Sequence, residues 1–294
     1  MLRLMRISRQ LSVALLLTGA LVLGACGEDS TVGSEGPAPA QGDTRAELEH
    51  IHGLGVDPGS GGLYVATHYG LFRAAEDQTT LQRAGSSRQD IMGFSVVGRR
   101  RFIGSGHPDP SENQNPNLGL IESRDGGRSW RNISLLGEAD FHVLESAGPR
   151  VYGFDGTQGR LMVSSDGGRS WQQRRPPAGV FGLAIDPANR DRVVVSTERG
   201  LFSSTTAGES WRPVDERLAG LLAWPRPKQL YLIDGQGQVQ LSRDGGRVWQ
   251  VVGDLGGQPA AFIASGTDLY AALGDGSVKR STDGGRLWTV RATP

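Results

Sequence analysis

An octamer of the form Ser-x-Asp-x-Gly-x-x-Trp recurs along the chain at nearly constant spacing. Its five tryptophans are separated by 38 to 41 residues and are Trp130, Trp171, Trp211, Trp249 and Trp288. Self-similarity at a fixed period of about 40 residues is typical of proteins in which one small structural unit is repeated and packs against its own copies. The chain is therefore expected to fold as a series of equivalent units.

Four copies of the octamer are complete, and one is degenerate. The complete copies share the same four residue types and comprise Ser123, Asp125, Gly127 and Trp130; Ser164, Asp166, Gly168 and Trp171; Ser242, Asp244, Gly246 and Trp249; and Ser281, Asp283, Gly285 and Trp288. The degenerate copy has Thr206 at the aspartate position and retains Ser204, Gly208 and Trp211. Ser and Asp side chains accept hydrogen bonds from nearby backbone amides, and Gly adopts positive φ, so the octamer predicts a tight turn.

A sixth unit is eroded but can still be aligned. Gly70-Leu71-Phe72 matches Gly200-Leu201-Phe202, which places Leu81 at the tryptophan position. Between octamers, short apolar and β-branched runs alternate with Gly, Asp and Pro, and no helical periodicity is present. Four short strands per unit predict an all-β propeller with six four-stranded blades, and a seventh blade is the alternative. The expected innermost strands are residues 52–56, 92–96, 142–145, 181–185, 221–224 and 261–264.

The octamer resembles the Asp-box (BNR) repeat of bacterial sialidases, of related secreted glycoside hydrolases and of Ycf48-type assembly factors. As a repeat pattern, the resemblance covers residues 50–290. It implies that each octamer is the turn between the third and fourth strands of a blade and that its Trp packs between blades. It also implies that ligands bind at the opposite face, which is formed by the inter-blade loops and by the turns between second and third strands.

The N-terminus predicts export and lipid anchoring. Three arginines precede an apolar stretch at about residues 11–25, which is shorter than the ~20 residues of a membrane span and is typical of a signal peptide. Small residues before Cys26 resemble a lipobox, in which the cysteine thiol is acylated. The expected organisation is a signal peptide at 1–25, a lipidated cysteine and flexible linker at 26–46, and a propeller at 47–294. The protein would then be anchored on the outer side of the cytoplasmic membrane.

The charge of the chain limits its class of partner, and its cysteine content limits its disulfides. Without residues 1–25 the chain has 28 basic and 31 acidic residues, so a nucleic-acid partner is not expected. Cys26 is the only cysteine, which excludes disulfides within the propeller. We expect a monomer that meets the membrane through the lipid on Cys26 and binds a protein or a glycan.

All five histidines fall in the first half of the chain, at starts of inner strands or ends of second strands; they are His50, His52, His68, His107 and His142. The resemblance places these positions at one mouth of the central channel. Three interpretations are open. The cluster could bind a divalent metal, because imidazole suits Zn, Cu, Ni and Fe. It could perform acid–base chemistry near neutral pH, or it could be a polar loop surface without a ligand.

A catalytic function has weaker support in the sequence. The first blade has His50-Ile-His52-Gly53 where sialidases carry an Arg-containing tripeptide, and no Arg/Tyr/Glu set is recognisable. Glycoside hydrolysis requires two carboxylates, and the candidates are Asp109, Glu112, Asp155 and Glu198. The first two belong to an insertion at 109–118 that is expected to overhang the mouth. We therefore expect a binding or assembly module, with a glycoside hydrolase as the alternative.

Overall fold

The structure is a computed structural model that describes Leu48 and residues 50–294. These residues form 24 strands in six antiparallel four-stranded sheets, with no helix among them. The innermost strand of each sheet contacts that of the next, and the sixth contacts the first. The predicted six-bladed propeller is confirmed, and the described part of the chain leaves no room for a seventh blade. No helix there is long and apolar enough to cross a membrane.

Each blade is a continuous segment whose strands run in chain order from the channel outwards. Blades one and two contain β1 (Ile51–Val56), β2 (Leu63–Thr67), β3 (Gly70–Ala74), β4 (Gln82–Arg83), β5 (Asp90–Gly98), β6 (Arg101–His107), β7 (Leu120–Ser123) and β8 (Arg131–Ser134). Blades three and four contain β9 (Phe141–Ala147), β10 (Arg150–Asp155), β11 (Arg160–Ser164), β12 (Gln172–Arg174), β13 (Val180–Asp186), β14 (Asn189–Thr197), β15 (Gly200–Ser204) and β16 (Arg212–Asp215). Blades five and six contain β17 (Leu221–Arg226), β18 (Gln229–Ile233), β19 (Gln238–Ser242), β20 (Gln250–Asp254), β21 (Pro259–Ser265), β22 (Asp268–Leu273), β23 (Val278–Ser281) and β24 (Thr289–Ala292).

Every expected innermost strand lies within β1, β5, β9, β13, β17 or β21, so the alignment of the repeat was correct in all six units. The signal peptide, the lipidated cysteine and the linker lie outside the described residues. Those three assignments, and the boundary at 46/47, remain predictions.

The hydrophobic core is divided among the six junctions between blades. The described residues form six apolar clusters, each joining one blade to the next. Each cluster includes the residue at the eighth octamer position, namely Leu81, Trp130, Trp171, Trp211, Trp249 or Trp288. Trp171, for example, packs on Phe141 and donates its indole N–H to the Ser134 hydroxyl across the junction at 2.9 Å. The repeated aromatic residue therefore stabilises blade-to-blade contact.

Hydrogen bonds within the octamer explain its residue types. In the first complete copy the Ser123 hydroxyl donates to Asp125 Oδ1 at 2.9 Å and accepts the Gly127 N–H at 2.8 Å. Asp125 Oδ1 also accepts the amides of Arg128 and Ser129, both at 3.0 Å. Although burial acts in the opposite direction, the bond donated by the Ser129 hydroxyl, at 2.6 Å, and the bonds named above lower the pKa of Asp125 to about 2. The other three complete copies repeat the pattern at 2.7 to 3.0 Å.

Replacement of the octamer serine is expected to destabilise the blade locally. Ser164→Ala leaves the buried Gly168 N–H without its acceptor at 2.8 Å, a loss of about 1–2 kcal/mol in the free energy of unfolding. The matched control is Ser170→Ala in the same turn, because Ser170 bonds Asp166 at an exposed position and should change stability by less than about 0.5 kcal/mol. Denaturant titration of both variants distinguishes them. Equal losses would contradict the assigned role of the buried amide.

Strand direction determines which loops meet at each end of the channel. In every blade the octamer turn lies at the end where the first strand finishes. Backbone bonds confirm this: Gly126 N–H donates to the Arg100 carbonyl, and Gly167 N–H donates to the Pro149 carbonyl. The opposite end, where the first strands begin and the second strands finish, is called the mouth below. The octamers therefore lie on the face away from the mouth.

Candidate site at the channel mouth

The five predicted site histidines all lie at the mouth of blades one to three. His50 immediately precedes β1 and His52 is its second residue, whereas His142 is the second residue of β9. His68 follows β2 directly, and His107 is the last residue of β6. Neighbouring innermost strands begin at the same end of the channel, which brings these side chains into two adjacent clusters.

The first cluster is built on a buried carboxylate at the start of β5. Asp90 Oδ2 lies 2.8 Å from His68 Nδ1, and Asp90 Oδ1 lies 3.4 Å from His52 Nε2. The His50 and His68 rings are 6.1 Å apart between centroids, and those of His52 and His68 are 6.4 Å apart. The Asp90 side chain is 9% exposed, whereas that of His68 is 51% exposed. The cluster therefore combines a buried anion with an imidazole that solvent or a ligand can reach.

The second cluster is built in the same way at the start of β9. Asp140 Oδ2 lies 2.8 Å from His142 Nε2 and 3.4 Å from His107 Nε2. His107 Nδ1 is 2.7 Å from the carbonyl oxygen of Pro116, which belongs to the predicted insertion loop. The Asp140 side chain is 3% exposed. The insertion is thus connected to the site through His107.

The two clusters occupy equivalent positions at successive blade junctions. The residue after the end of β2 is His68, and the strand register of β6 makes His107 its counterpart. Each of these histidines faces an aspartate at the start of the next innermost strand, either Asp90 or Asp140. The same arrangement therefore occurs twice, as two His–Asp pairs that each span the junction between neighbouring blades.

Sequence reasoning missed both aspartates. A signal was nevertheless present, because the innermost strands of the first three blades begin His50-Ile-His52, Asp90-Ile-Met92 and Asp140-Phe-His142. Alignment of these starts puts the two aspartates at the position of His50. The carboxylates considered for the mouth came instead from the ends of second strands and from the insertion.

The pKa values of His52 and His142 are shifted in opposite directions. Burial is the main cause that lowers the pKa of His52, and the charges of His68, His50 and His142 lower it further, against the opposing effect of Asp90. The hydrogen bond to Asp140 raises the pKa of His142, with burial opposing it. His142 is the smallest of the causes that act on the pKa of His52, and Asp90 is the smallest of those that act on the pKa of His142, so each cluster has only a minor electrostatic effect on the other.

Gly156 makes room for His142. In the third blade this glycine stands at the position of His68 and His107, and a Cβ there would lie 2.8 Å from His142 Cγ. Gly156→Ala is therefore expected to push the imidazole off Asp140 and to lower the pKa of His142 relative to the unmodified protein. A histidine NMR titration measures this. Gly179→Ala is the matched control, because no atom lies within 4 Å of a Cβ at that position. An unchanged titration in Gly156→Ala would contradict the packing argument.

The side chains that line the channel behind the mouth are mainly apolar. Its mouth half has a cavity of about 310 Å³ and its octamer half one of about 540 Å³, and all six innermost strands line both. Glu145 of β9 borders both cavities. Its side chain is partly exposed to the channel, but protein surrounds the channel on every side, and this desolvation raises the pKa of the Glu145 carboxyl to about 8. A carboxyl group with a raised pKa therefore lies midway along the channel.

The proposed catalytic carboxylates have mainly local partners. Asp155 is fully buried and binds Arg160 Nε at 3.0 Å as well as the amides of Thr157 and Gln158. Asp109 accepts two hydrogen bonds from Ser111. Glu112 accepts one from Gln114 in the exposed insertion, and Glu198 lies exposed in the turn after β14. Asp155, Asp109 and Glu112 therefore make structural contacts.

Known proteins resemble this chain mainly in fold. No family model matches. The dispase autolysis-inducing protein of Streptomyces mobaraensis is 28% identical over 102 residues, which is 34% of this chain and 27% of that protein. The GH74 xyloglucanase of Xanthomonas campestris superposes with a TM-score of 0.54 and 18% identity over 82% of this chain and 45% of the enzyme.

Two further solved structures are covered over most of their length. A structure of YCF48 bound to D1 peptide superposes with a TM-score of 0.51 and 16% identity, over 82% of each chain. A chain of the nidogen/laminin complex superposes with a TM-score of 0.58 and 14% identity, over 74% of this chain and 88% of that one. The chain thus spans about a quarter of the Streptomyces protein and less than half of the xyloglucanase. The similarities establish a β-propeller whose structural neighbours include both glycoside hydrolases and binding proteins.

Proposed function

We propose that this chain is an exported, lipid-anchored β-propeller that binds a protein partner at the outer side of the cytoplasmic membrane through its mouth. One observation carries the proposal: five histidines and two buried aspartates from three successive blades meet at one end of the channel. Buried carboxylates that fix partly exposed imidazoles form a preorganised polar surface. Such a surface can recognise a partner with little ordering of its own side chains.

Exposed aromatic side chains at the mouth support a protein partner, whereas Val248 and Leu287 on the octamer face are aliphatic. Tyr69 and Phe181 are 40% and 43% exposed, and Tyr69 packs edge-on against His68 at 5.1 Å between ring centroids. Exposed aromatic groups beside a polar cluster are typical of protein-binding surfaces. The fold likeness to YCF48 bound to D1 peptide agrees with this choice, and the superposition covers most of both chains.

Glycoside hydrolysis is the second candidate, supported by the fold likeness to the xyloglucanase. It is less favoured because Asp155, the most buried of the carboxylates considered, forms an ion pair with Arg160. We expect no turnover of xyloglucan oligosaccharides or of chromogenic glycosides. Turnover that disappears in Asp155→Asn, while the protein stays folded, would favour the hydrolase instead.

Site-specific photo-cross-linking in the lipid-anchored full chain tests the binding proposal. A photoreactive amino acid at Tyr69 or Phe181 reports on the mouth, and one at Val248 or Leu287 reports on the octamer face, where these side chains are 68% and 73% exposed. We expect one discrete cross-linked protein from the two mouth positions and none from the two octamer positions. Equal cross-linking from both faces, or cross-linking from the octamer face alone, would overturn the proposal.

A further inference from the structure

We propose that His52, His68 and Asp90 bind one divalent transition-metal ion, with Zn²⁺ as the best match, at the mouth. The inference rests on the proposed function and deepens it, because it assigns an ion to the surface through which the partner would bind. The argument uses ligand geometry, unpaired buried atoms and the contrast with the second cluster.

The three side chains bring their ligand atoms close together. One imidazole nitrogen from each histidine and one oxygen of Asp90 all lie within 4.8 Å of one another. In a tetrahedral site with bonds of about 2.0–2.1 Å, neighbouring ligand atoms are about 3.3 Å apart. The separations to the carboxylate are 2.8 Å from His68 Nδ1 to Asp90 Oδ2 and 3.4 Å from His52 Nε2 to Asp90 Oδ1, so each imidazole lies near that spacing from one of the two oxygens.

Two of these atoms are buried without a hydrogen-bond partner. His52 Nε2 and Asp90 Oδ1 face each other, and neither makes a hydrogen bond in the structure. Asp90 is 7% exposed. An unsatisfied buried polar atom costs about 1–3 kcal/mol, so such atoms are rare unless another group completes them. A cation between the imidazole and the carboxylate would satisfy both.

The second cluster lacks this geometry although it has the same composition. His142 Nε2 and His107 Nε2 lie 2.8 and 3.4 Å from the same oxygen, Asp140 Oδ2, while His107 Nδ1 is bonded to the Pro116 carbonyl. The difference from the first cluster is that these two nitrogens and the carboxylate do not all come within 4.8 Å of one another. Within residues 50–294, the first cluster is the group whose histidine and acidic ligand atoms converge in this way. The two clusters thus differ in geometry rather than in residue type, and the second provides matched control variants.

The donor set indicates the class of ion. Two imidazoles and one carboxylate suit Zn²⁺ and neighbouring transition metals, whereas Ca²⁺ and Mg²⁺ require more oxygen ligands than the cluster offers. Three protein ligands also leave a coordination position free. Exposed His50 lies beside His68, with ring centroids 6.1 Å apart, and a donor group of the partner would complete the coordination.

Calorimetric titration of the untagged full chain in detergent with Zn²⁺ tests the site. We expect one ion per chain, at least 100-fold weaker binding in His52→Ala and in Asp90→Asn, and no more than about threefold weaker binding in His142→Ala and Asp140→Asn. Mg²⁺ and Ca²⁺ should give no binding isotherm. Zn²⁺ should also raise the melting temperature of the unmodified protein and of the two control variants, but not of the two site variants.

These results distinguish failure of the metal site from failure of the proposed function. Absence of an isotherm, or equal weakening by both variant sets, would overturn the metal site. Asp90→Asn keeps the size of the side chain, and its melting temperature without metal establishes that it folds. If cross-linking from Tyr69 persists in protein stripped by a chelator and the isotherm is absent, the metal site fails and the proposed function stands. If Zn²⁺ binds but no mouth position cross-links, the proposed function fails.

Discussion

Removal of residues 289–294 is expected to unfold the entire propeller rather than its last blade alone. These residues contain β24 and the segment that joins the sixth blade to the first. Thr293 N–H donates to the Thr79 carbonyl at 2.8 Å, and the Thr293 carbonyl accepts the Leu81 N–H at 3.1 Å. Leu48 and Ile51 share an apolar cluster with Ala292, and the closing hydrogen bonds come from the third-to-fourth-strand turn of blade one.

The closing junction also contains buried polar contacts. Arg291 is 9% exposed, and its guanidinium donates to the carbonyl oxygens of Gln78 and Ala75 at 2.7 and 2.8 Å. A ring buries every blade against two neighbours, so loss of this junction leaves two uncovered apolar edges. The truncation removes β24, Ala292 of the junction cluster and four hydrogen bonds between the sixth blade and the first, and a domain has only about 5–15 kcal/mol of stability to lose.

Circular dichroism during heating measures the effect of this truncation. We expect the cooperative transition of the unmodified protein to be absent in the truncated protein at every temperature. A chain that lacks only Pro294 is the control, because it keeps both Thr293 hydrogen bonds and should melt like the unmodified protein. A truncated chain with an intact transition would contradict ring closure as the source of cooperativity.

Glu145→Gln is expected to stabilise the protein at alkaline pH. The pKa of this carboxyl is raised from the usual 4.5 to about 8 by desolvation in the channel. Folding therefore favours the protonated form. The contribution of this carboxyl to stability is fully present below pH 4.5 and is lost as pH rises through about 8. Apart from His52 and His142 at the mouth, no other ionisable side chain of the described residues lines the two cavities.

The size of this effect is limited by water in the channel. A shift of that extent corresponds to at most about 5 kcal/mol, and partial solvation lowers the expected gain at pH 9 to about 1–3 kcal/mol. Denaturant titrations at pH 4 and pH 9 measure it, and the variant should match the unmodified protein at pH 4. Glu198→Gln is the control because its side chain faces solvent. A gain at pH 4 equal to that at pH 9 would exclude ionisation as the cause.

The architecture could be predicted because its determinants are local and repeated. The octamer specifies a turn through contacts within eight residues, such as the Ser123–Asp125 bond, and its spacing determines the number of blades. Even the eroded first unit was aligned correctly, since Leu81 packs in the junction cluster where other units have Trp. Local hydrogen bonds and a hydrophobic position that recurs in every unit can be predicted from a single sequence.

The site could be predicted only in part because it depends on contacts between units. The histidines were recognisable by type and by position at strand ends. Their partners Asp90 and Asp140 were not, because each faces a histidine of the preceding blade, 22 and 33 residues earlier in the chain. The environment of Glu145 was equally hidden, since its desolvation results from closure of all six blades around the channel.

The central claim is that the mouth binds the partner, whereas the octamers stabilise the fold. Cross-linking yield from a photoreactive residue at position 69 tests it most directly when two double variants are compared. Asp90→Asn with Asp140→Asn removes both buried charges at the mouth, whereas Asp125→Asn with Asp283→Asn alters two octamers. We predict that the first pair abolishes the cross-linked product and that the second leaves its yield unchanged in folded protein. An unchanged yield in the mouth variant would contradict the claim.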